Sequence, residues 1–281
     1  MVKPIVALVY DFDGTLSPLN MQEFGFIQSL GISVKEFWTK ANRMAIDEDA
    51  NSILCYMKHM LDSAKQAGIP LTKELLQKNG NDVQLYPGVK EWFSLINKYG
   101  ESCGVRIEHY INSSGLKEMI EGTPIASEFN KIYACSYMYD KKGEAVWPAV
   151  AVDFSTKTQF LFKINKGIRS VSDNVEVNRY TSEEDRPIPF KRMIYFGDGE
   201  TDIPCMKLVK NQGGYSIAVY RPDSSKLGAA KKLISDGRVN FVCEADYQEN
   251  GEIFEIVKTI IDKMKSDYEF EKLQKKHQNK L

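Results

Sequence analysis

The stretch Asp11-Phe12-Asp13-Gly14-Thr15-Leu16 sets two carboxylates two residues apart, directly after the apolar run Pro4 to Tyr10. In an extended or turning segment such side chains reach one space, so Asp11 can attack a phosphoryl group while Asp13 handles the proton of the leaving oxygen. Two close carboxylates repel. A hard cation with oxygen ligands, Mg²⁺ above all, relieves that repulsion and neutralises a phosphate. A second acidic group, Gly197-Asp198-Gly199-Glu200-Thr201-Asp202, follows the short apolar run Met193 to Phe196. Asp198 and Asp202 can supply further ligands to the same cation, and the glycines let the backbone approach it closely. Between the two groups, Asn112-Ser113-Ser114-Gly115 offers small hydroxyls and backbone N–H groups ahead of a helix, which is the chemistry of a phosphate cradle and equally that of a helix cap. Lys157, Lys163 and Lys166 are the candidate cations for a developing phosphoryl charge.

These residues need elements to carry them. Pro4 to Tyr10 is apolar without alternation, as in a strand buried on both faces at the centre of a parallel sheet, and ligands of such sheets bind beyond the carboxyl ends of the strands. Val105 to Ile111, Met193 to Phe196, Tyr215 to Tyr220 and Asn240 to Cys243 read as further strands. The spacing predicts helices over Pro87 to Gly100, Thr156 to Gly167, Ser225 to Leu233 and Ile253 to Met264. From Ser17 to Tyr86 the pattern is helical instead: a short helix over Met21 to Leu30, a second opened by the capping box of Ser33 and Glu36, a third over Asn51 to Ala67, and a fourth capped by Thr72. Lys131 to Tyr139 and Ala145 to Val152 form a hairpin about Asp140-Lys141-Lys142-Gly143. Val177 to Pro189 reads as an extra polar loop, and Lys265 to Leu281 as a charged extension.

An apolar strand followed by Asp-Phe-Asp-Gly-Thr-Leu, with Gly-Asp-Gly-Glu-Thr-Asp after a second strand, resembles motifs I and IV of the haloacid dehalogenase-like hydrolase superfamily; Ser113 is similar to its motif II. The helical insertion after motif I resembles the phosphoserine phosphatase-like members. The resemblance implies an α/β fold, a doubly wound parallel sheet over residues 1–17 and 87–264, with an inserted α-helical cap over 18–86 and an extension over 265–281. It further implies an Mg²⁺-dependent phosphomonoester hydrolase of a small phosphorylated metabolite, working through an aspartyl-phosphate. Asp11, Asp13, Ser113 and Lys166 would be catalytic, with Lys157 as the other choice for the motif III lysine. Thr15, Ser114 and Gly115 would bind substrate. Asp11, Asp13 through its backbone carbonyl, Asp198 and, in support, Asp202 would hold the metal. A phosphomutase or phosphotransferase of the same superfamily and a non-catalytic metal-binding scaffold are the alternatives.

Composition fits this picture. The 281 residues are 43% hydrophobic and 27% charged, enough for a sizeable core. A formal net charge of −1, from 37 Lys+Arg against 38 Asp+Glu, gives no overall field for nucleic acid or an anionic membrane. The apolar run before Asp11 is far shorter than a signal or spanning segment. Five scattered cysteines without paired spacing read as reduced thiols, so a cytoplasmic protein is expected.

Overall fold

The computed structural model describes residues 3–222 and 226–280. Met1, Val2, Ser225 and Leu281, which the sequence places at the ends of elements, lie outside the described residues. The chain runs β1 (Ile5–Tyr10), α1 (Phe26–Ser29), α2 (Val34–Asp47), α3 (Ser52–Gln66), α4 (Lys73–Gly80), α5 (Val89–Cys103), β2 (Arg106–Leu116), α6 (Lys117–Glu121), β3 (Lys131–Tyr139), β4 (Ala145–Val150), α7 (Phe154–Asn165), α8 (Asn174–Asn178), β5 (Met193–Gly197), α9 (Ile203–Asn211), β6 (Tyr215–Tyr220), α10 (Lys226–Ser235), β7 (Phe241–Glu244) and α11 (Glu252–Gln278). Among the described residues seven strands form one sheet in the order β4-β3-β2-β1-β5-β6-β7. All neighbours are parallel except the edge pair β3–β4. This is the doubly wound α/β sheet expected from the sequence.

β1 is central and buried on both faces, as its unbroken apolar run requires. Its flanking partners are β2 and β5, so the three strands that carry Asp11, Ser113 and Asp198 at or near their C-terminal ends lie side by side. The expected hairpin is present and extends the sheet edge. Three elements differ from expectation. The single helix over Met21 to Leu30 is instead a 3-10 turn at Met21–Glu23 and the short α1, separated by Gly25 at φ 100°. β2 runs on through Ser113 and Gly115 with a register shift between Asn112 and Leu116, so the cradle sits in an irregular end of the strand and not in a loop. A short helix, α8, takes in Val177 and Asn178 where a polar loop was expected. The charged extension, which the sequence allows as an exposed helix end or a frayed tail, is the former: α11 continues without a break to Gln278.

The helical insertion between β1 and α5 is joined closely to the sheet layer. At the crossing of α4 and α6, a Cβ on Gly80 would lie 2.0 Å from the Met119 carbonyl oxygen and one on Gly122 would lie 1.9 Å from that of Gln77. Only glycine lets the two backbones meet there. Leu71 accepts a backbone hydrogen bond from Ala145 at the start of β4, and Tyr137 donates to the Met57 carbonyl.

Behind Asp11 a buried chain of hydrogen bonds fixes the end of β1. Trp92 Nε1 donates to Tyr10 Oη at 2.8 Å, Tyr10 Oη pairs with His109 Nδ1 at 3.1 Å, and His109 Nε2 pairs with Asn97 Oδ1 at 3.0 Å. Because Tyr10 already accepts from Trp92, its own hydrogen goes to Nδ1, and the Nε2 hydrogen goes to Asn97: the network assigns a neutral tautomer. Burial lowers the His109 pKa to about 3. The neutral form is therefore favoured in the fold, and its contribution is complete above the unfolded value near 6.5 and is lost as pH falls from there toward 3. Urea titrations of wild type and His109→Gln should diverge accordingly. The wild type is expected to lose about 2 kcal/mol more than the variant between pH 7 and pH 5, and parallel curves would refute the assignment.

Candidate active site

The C-terminal ends of β1, β2 and β5 open on a cavity of about 570 Å³ lined by Asp11, Asp13, Gly14, Ser113, Ser114, Gly115 and Asp198, with Trp38, Ile53 and Tyr56 from the helical insertion. Its position follows from the sheet: in a doubly wound fold the crevice beyond the strands' carboxyl ends is where ligands bind.

Asp11 leaves β1 with its N–H donating to the Phe196 carbonyl of β5 at 2.9 Å, and its Oδ1 accepts from Phe12 N at 2.7 Å. Lys157 Nζ lies 3.0 Å from Asp11 Oδ2 and 2.7 Å from Asp202 Oδ1. The lysine side chain is wholly buried, as is that of Asp202, and Asp11 is 9% exposed at its side chain. Asp202 also accepts from Tyr195 Oη at 2.8 Å on Oδ1 and from Gly199 N at 3.3 Å on Oδ2. Carboxylate oxygens of Asp11, Asp198 and Asp202 lie within 4.8 Å of one another. Asp13 points the other way, with Oδ1 accepting from Met21 N at 2.9 Å. Gly14, at φ 77°, lies against Asp198: a Cβ there would be 2.2 Å from Asp198 Oδ2.

Charge in this space is unbalanced, since one buried ammonium faces several carboxylates. Burial first, and then the charge of Asp202, pushes Asp11 up to about 7 in spite of Lys157. Burial and the Asp11 charge likewise raise Asp13 well above the usual carboxylate range. Lys157 is opposite: burial alone would lower it, but Asp11 and Asp202 more than offset that and keep it protonated. The donor set suits a hard divalent cation. Three carboxylates converge on one volume, and such a cation would return Asp11 to its ionised form.

The structure places the two lysine candidates far apart in their contacts, and Lys166, the first choice from sequence, is not the one beside Asp11. Lys166, at the C-terminal end of α7, donates to the Val177 carbonyl at 2.7 Å and also to that of Arg179, holding the loop after α7. The side chain beside Asp11 is that of Lys157, about two and a half turns earlier in α7. It is held there because Asn112 at the end of β2 donates to the Lys157 carbonyl at 2.9 Å and because Asp153 caps α7. Lys163 is also buried, but it serves the carbonyls of Ser170, Val171 and Asp173.

Ser113 is fully buried, and its Oγ accepts from Gly115 N at 3.0 Å. Ser114 and Gly115 line the cavity, and the Ser114 carbonyl accepts from Tyr56 Oη at 2.7 Å. Thr15 is buried beneath the turn, where its carbonyl accepts from Tyr247 Oη at 2.8 Å, and it is not part of the cavity wall. Sequence reasoning missed Tyr195, whose signal was a polar-tipped aromatic in a strand buried along its whole length: a buried tyrosine hydroxyl needs a partner. It also missed Gln22, Glu23 and Arg221 on the cavity wall, which carry no local pattern.

Comparison with known proteins agrees with this geometry. The fold is that of the haloacid dehalogenase-like hydrolases. A hydrolase of that superfamily from Salmonella enterica serovar Typhi superposes with a TM-score of 0.55 at 15% identity, covering 86% of this chain and 69% of that one. A phosphoserine phosphatase captured as a phospho-aspartyl intermediate analogue gives 0.54 at 16% identity, covering 92% and 99%. A probable phosphoserine phosphatase from Vibrio cholerae gives 0.58 at 14% identity, covering 94% and 65%. The family described as "Putative Phosphatase" matches residues 6–221, and the chain belongs to that family. An uncharacterized protein of Borreliella burgdorferi is 28% identical over 277 residues, 89% of this chain and 94% of its own. Among the described residues, no helix is long and apolar enough to cross a membrane.

The two lysines separate in stability. Lys157→Ala leaves Asp202 and Asp11 buried without their cation and should cost about 3–5 kcal/mol in chemical denaturation at pH 7 without added metal. Lys166→Ala should cost about 1 kcal/mol and raise amide exchange only in the loop after α7. Equal losses would contradict the placement of Lys157.

Proposed function

We propose that the chain is an Mg²⁺-dependent phosphomonoester hydrolase of a small phosphorylated metabolite, working through an aspartyl-phosphate on Asp11. The observation that supports this most is the carboxylate of Asp11 lining a cavity, held by a buried lysine and gathered with two further carboxylates. In this reading a carboxylate oxygen of Asp11 attacks phosphorus as the bond to the leaving oxygen breaks, and Asp13 gives that oxygen its proton. Asp13 then takes a proton from water, the water oxygen attacks phosphorus, and the Asp11–phosphorus bond breaks to release inorganic phosphate.

Burial and the Asp11 charge raise Asp13 well above the usual carboxylate range, which favours the protonated form an acid needs in the first step. Ser113 accepts from Gly115 N, which directs its own hydrogen to a phosphoryl oxygen, and Lys157 takes a second. Asp11, Asp198 and the Asp13 carbonyl would hold the cation, with Asp202 in support; when bound it would neutralise charge on the carboxylates and on the phosphoryl group. Residues 18–86 act as the cap, supplying Trp38, Ile53 and Tyr56 to the cavity wall. A cavity of about 570 Å³ suits a small metabolite, and the phosphoserine phosphatases among the structural neighbours suggest the same class. The five cysteines are free, which supports a cytoplasmic location.

Hydrolysis of an aryl phosphate measures the reading directly. Asp11→Asn is expected to lose at least about 10³-fold in kcat with its melting temperature unchanged or raised, and retained turnover would remove Asp11 from the nucleophile's role. A chelator should stop wild-type turnover and lower its melting temperature, and Mg²⁺ should restore both. Lys157→Ala should be inactive where Lys166→Ala keeps turnover, and the reverse order would overturn the lysine assignment.

A further inference from the structure

We infer that Tyr195 is a positioning residue that frees Lys157 to serve the phosphoryl group, by keeping Asp202 hydrogen-bonded when the lysine moves. The inference rests on the phosphatase reading above and extends it to a residue outside the acidic motifs. Lys157 Nζ contacts two carboxylates, Asp11 at 3.0 Å and Asp202 at 2.7 Å, and the nearer is the wholly buried one. Asp202 is thus the lysine's stronger competitor. When a phosphoryl group is bonded to Asp11, the lysine's useful partners are the phosphoryl oxygens, and each movement toward them withdraws a donor from a carboxylate that water does not reach. A buried carboxylate left short of donors is costly, and that cost would hold the lysine back.

Tyr195 Oη meets this cost at the same oxygen. It donates to Asp202 Oδ1 at 2.8 Å, while Gly199 N serves Oδ2 at 3.3 Å. The hydroxyl is a fixed neutral donor: Tyr195 is wholly buried in β5, and burial and the neighbouring Asp202 charge raise its phenol well above the usual range. Its ring is set by the strand, with Val9 of β1 and Ser216 of β6 as its lateral partners, so it does not follow the lysine. Asp202 therefore retains a charge-assisted hydrogen bond on each oxygen whichever way Lys157 points.

The test uses Tyr195→Phe, which removes one oxygen, in a double-mutant cycle with Asp202→Asn on the Mg²⁺-loaded enzyme with an aryl phosphate. Tyr195→Phe alone should lower kcat about 10-fold, with KM changed by less than about twofold and circular dichroism unchanged. On the Asp202→Asn background the same substitution should change kcat by less than about twofold, since the charge it supports is gone. A merely structural tyrosine would lose the same factor on both backgrounds, and that result overturns the inference. An unchanged kcat in Tyr195→Phe overturns it as well. Should Tyr195→Phe not be recovered folded, Asp202→Asn against the double variant decides: equal kcat supports the inference, and a further loss overturns it. Absence of turnover in the wild type refutes the phosphatase reading itself, which separates that failure from one confined to Tyr195.

Discussion

The buried ammonium of Lys157 between Asp11 and Asp202 is the interaction on which the site depends. An ion pair removed from water is stabilising only when its geometry and its remaining hydrogen bonds are satisfied, and here the surrounding elements supply both. Asn112 fixes the lysine's helix to the end of β2, Asp153 caps that helix, and Tyr195 and Gly199 complete Asp202. Ordering the lysine thus ties together β1, β2, β5 and α7, the four elements that surround the cavity floor.

The remaining excess of negative charge gives the floor its chemical character. A carboxylate pushed up to about 7 is a poor nucleophile until positive charge comes to it. In the proposed reaction, cation and phosphate would then be mutually dependent: the acidic cluster would need the first, and the phosphate what the first neutralises. The sheet's geometry makes this possible because the three central strands bring Asp11, Ser113 and Asp198 to the same end of the sheet.

Much of this was legible in the sequence. The unbroken apolar run ending at Asp11 allowed a central strand and a site at its end, and Gly197 to Asp202 could be paired with it because both follow short buried strands. The lysine was not legible. Lys157 and Lys163 lie in α7 and Lys166 caps it, all three make buried or semi-buried contacts, and what separates them is which partner each meets: carboxylates for Lys157, carbonyls of the downstream segment that includes α8 for the other two. Spacing along a helix does not record that. The irregular end of β2 escaped for a related reason: it lies against the 3-10 turn that follows the first acidic motif, where Met21 N donates to Asp13 and Leu116 N to the Met21 sulfur, contacts between segments far apart in sequence.

Gly14 shows how such contacts restrict what can be altered. Replacing a glycine is ordinarily an attractive route to stability, because a side chain narrows the freedom of the unfolded chain. At position 14 that route is closed twice over: the backbone is left-handed at φ 77°, and the first side-chain atom would occupy the place of the Asp198 carboxylate. A change made at the first acidic turn would be registered in the second, far along the chain. For an engineer, the two turns form one unit, to be redesigned together or left alone.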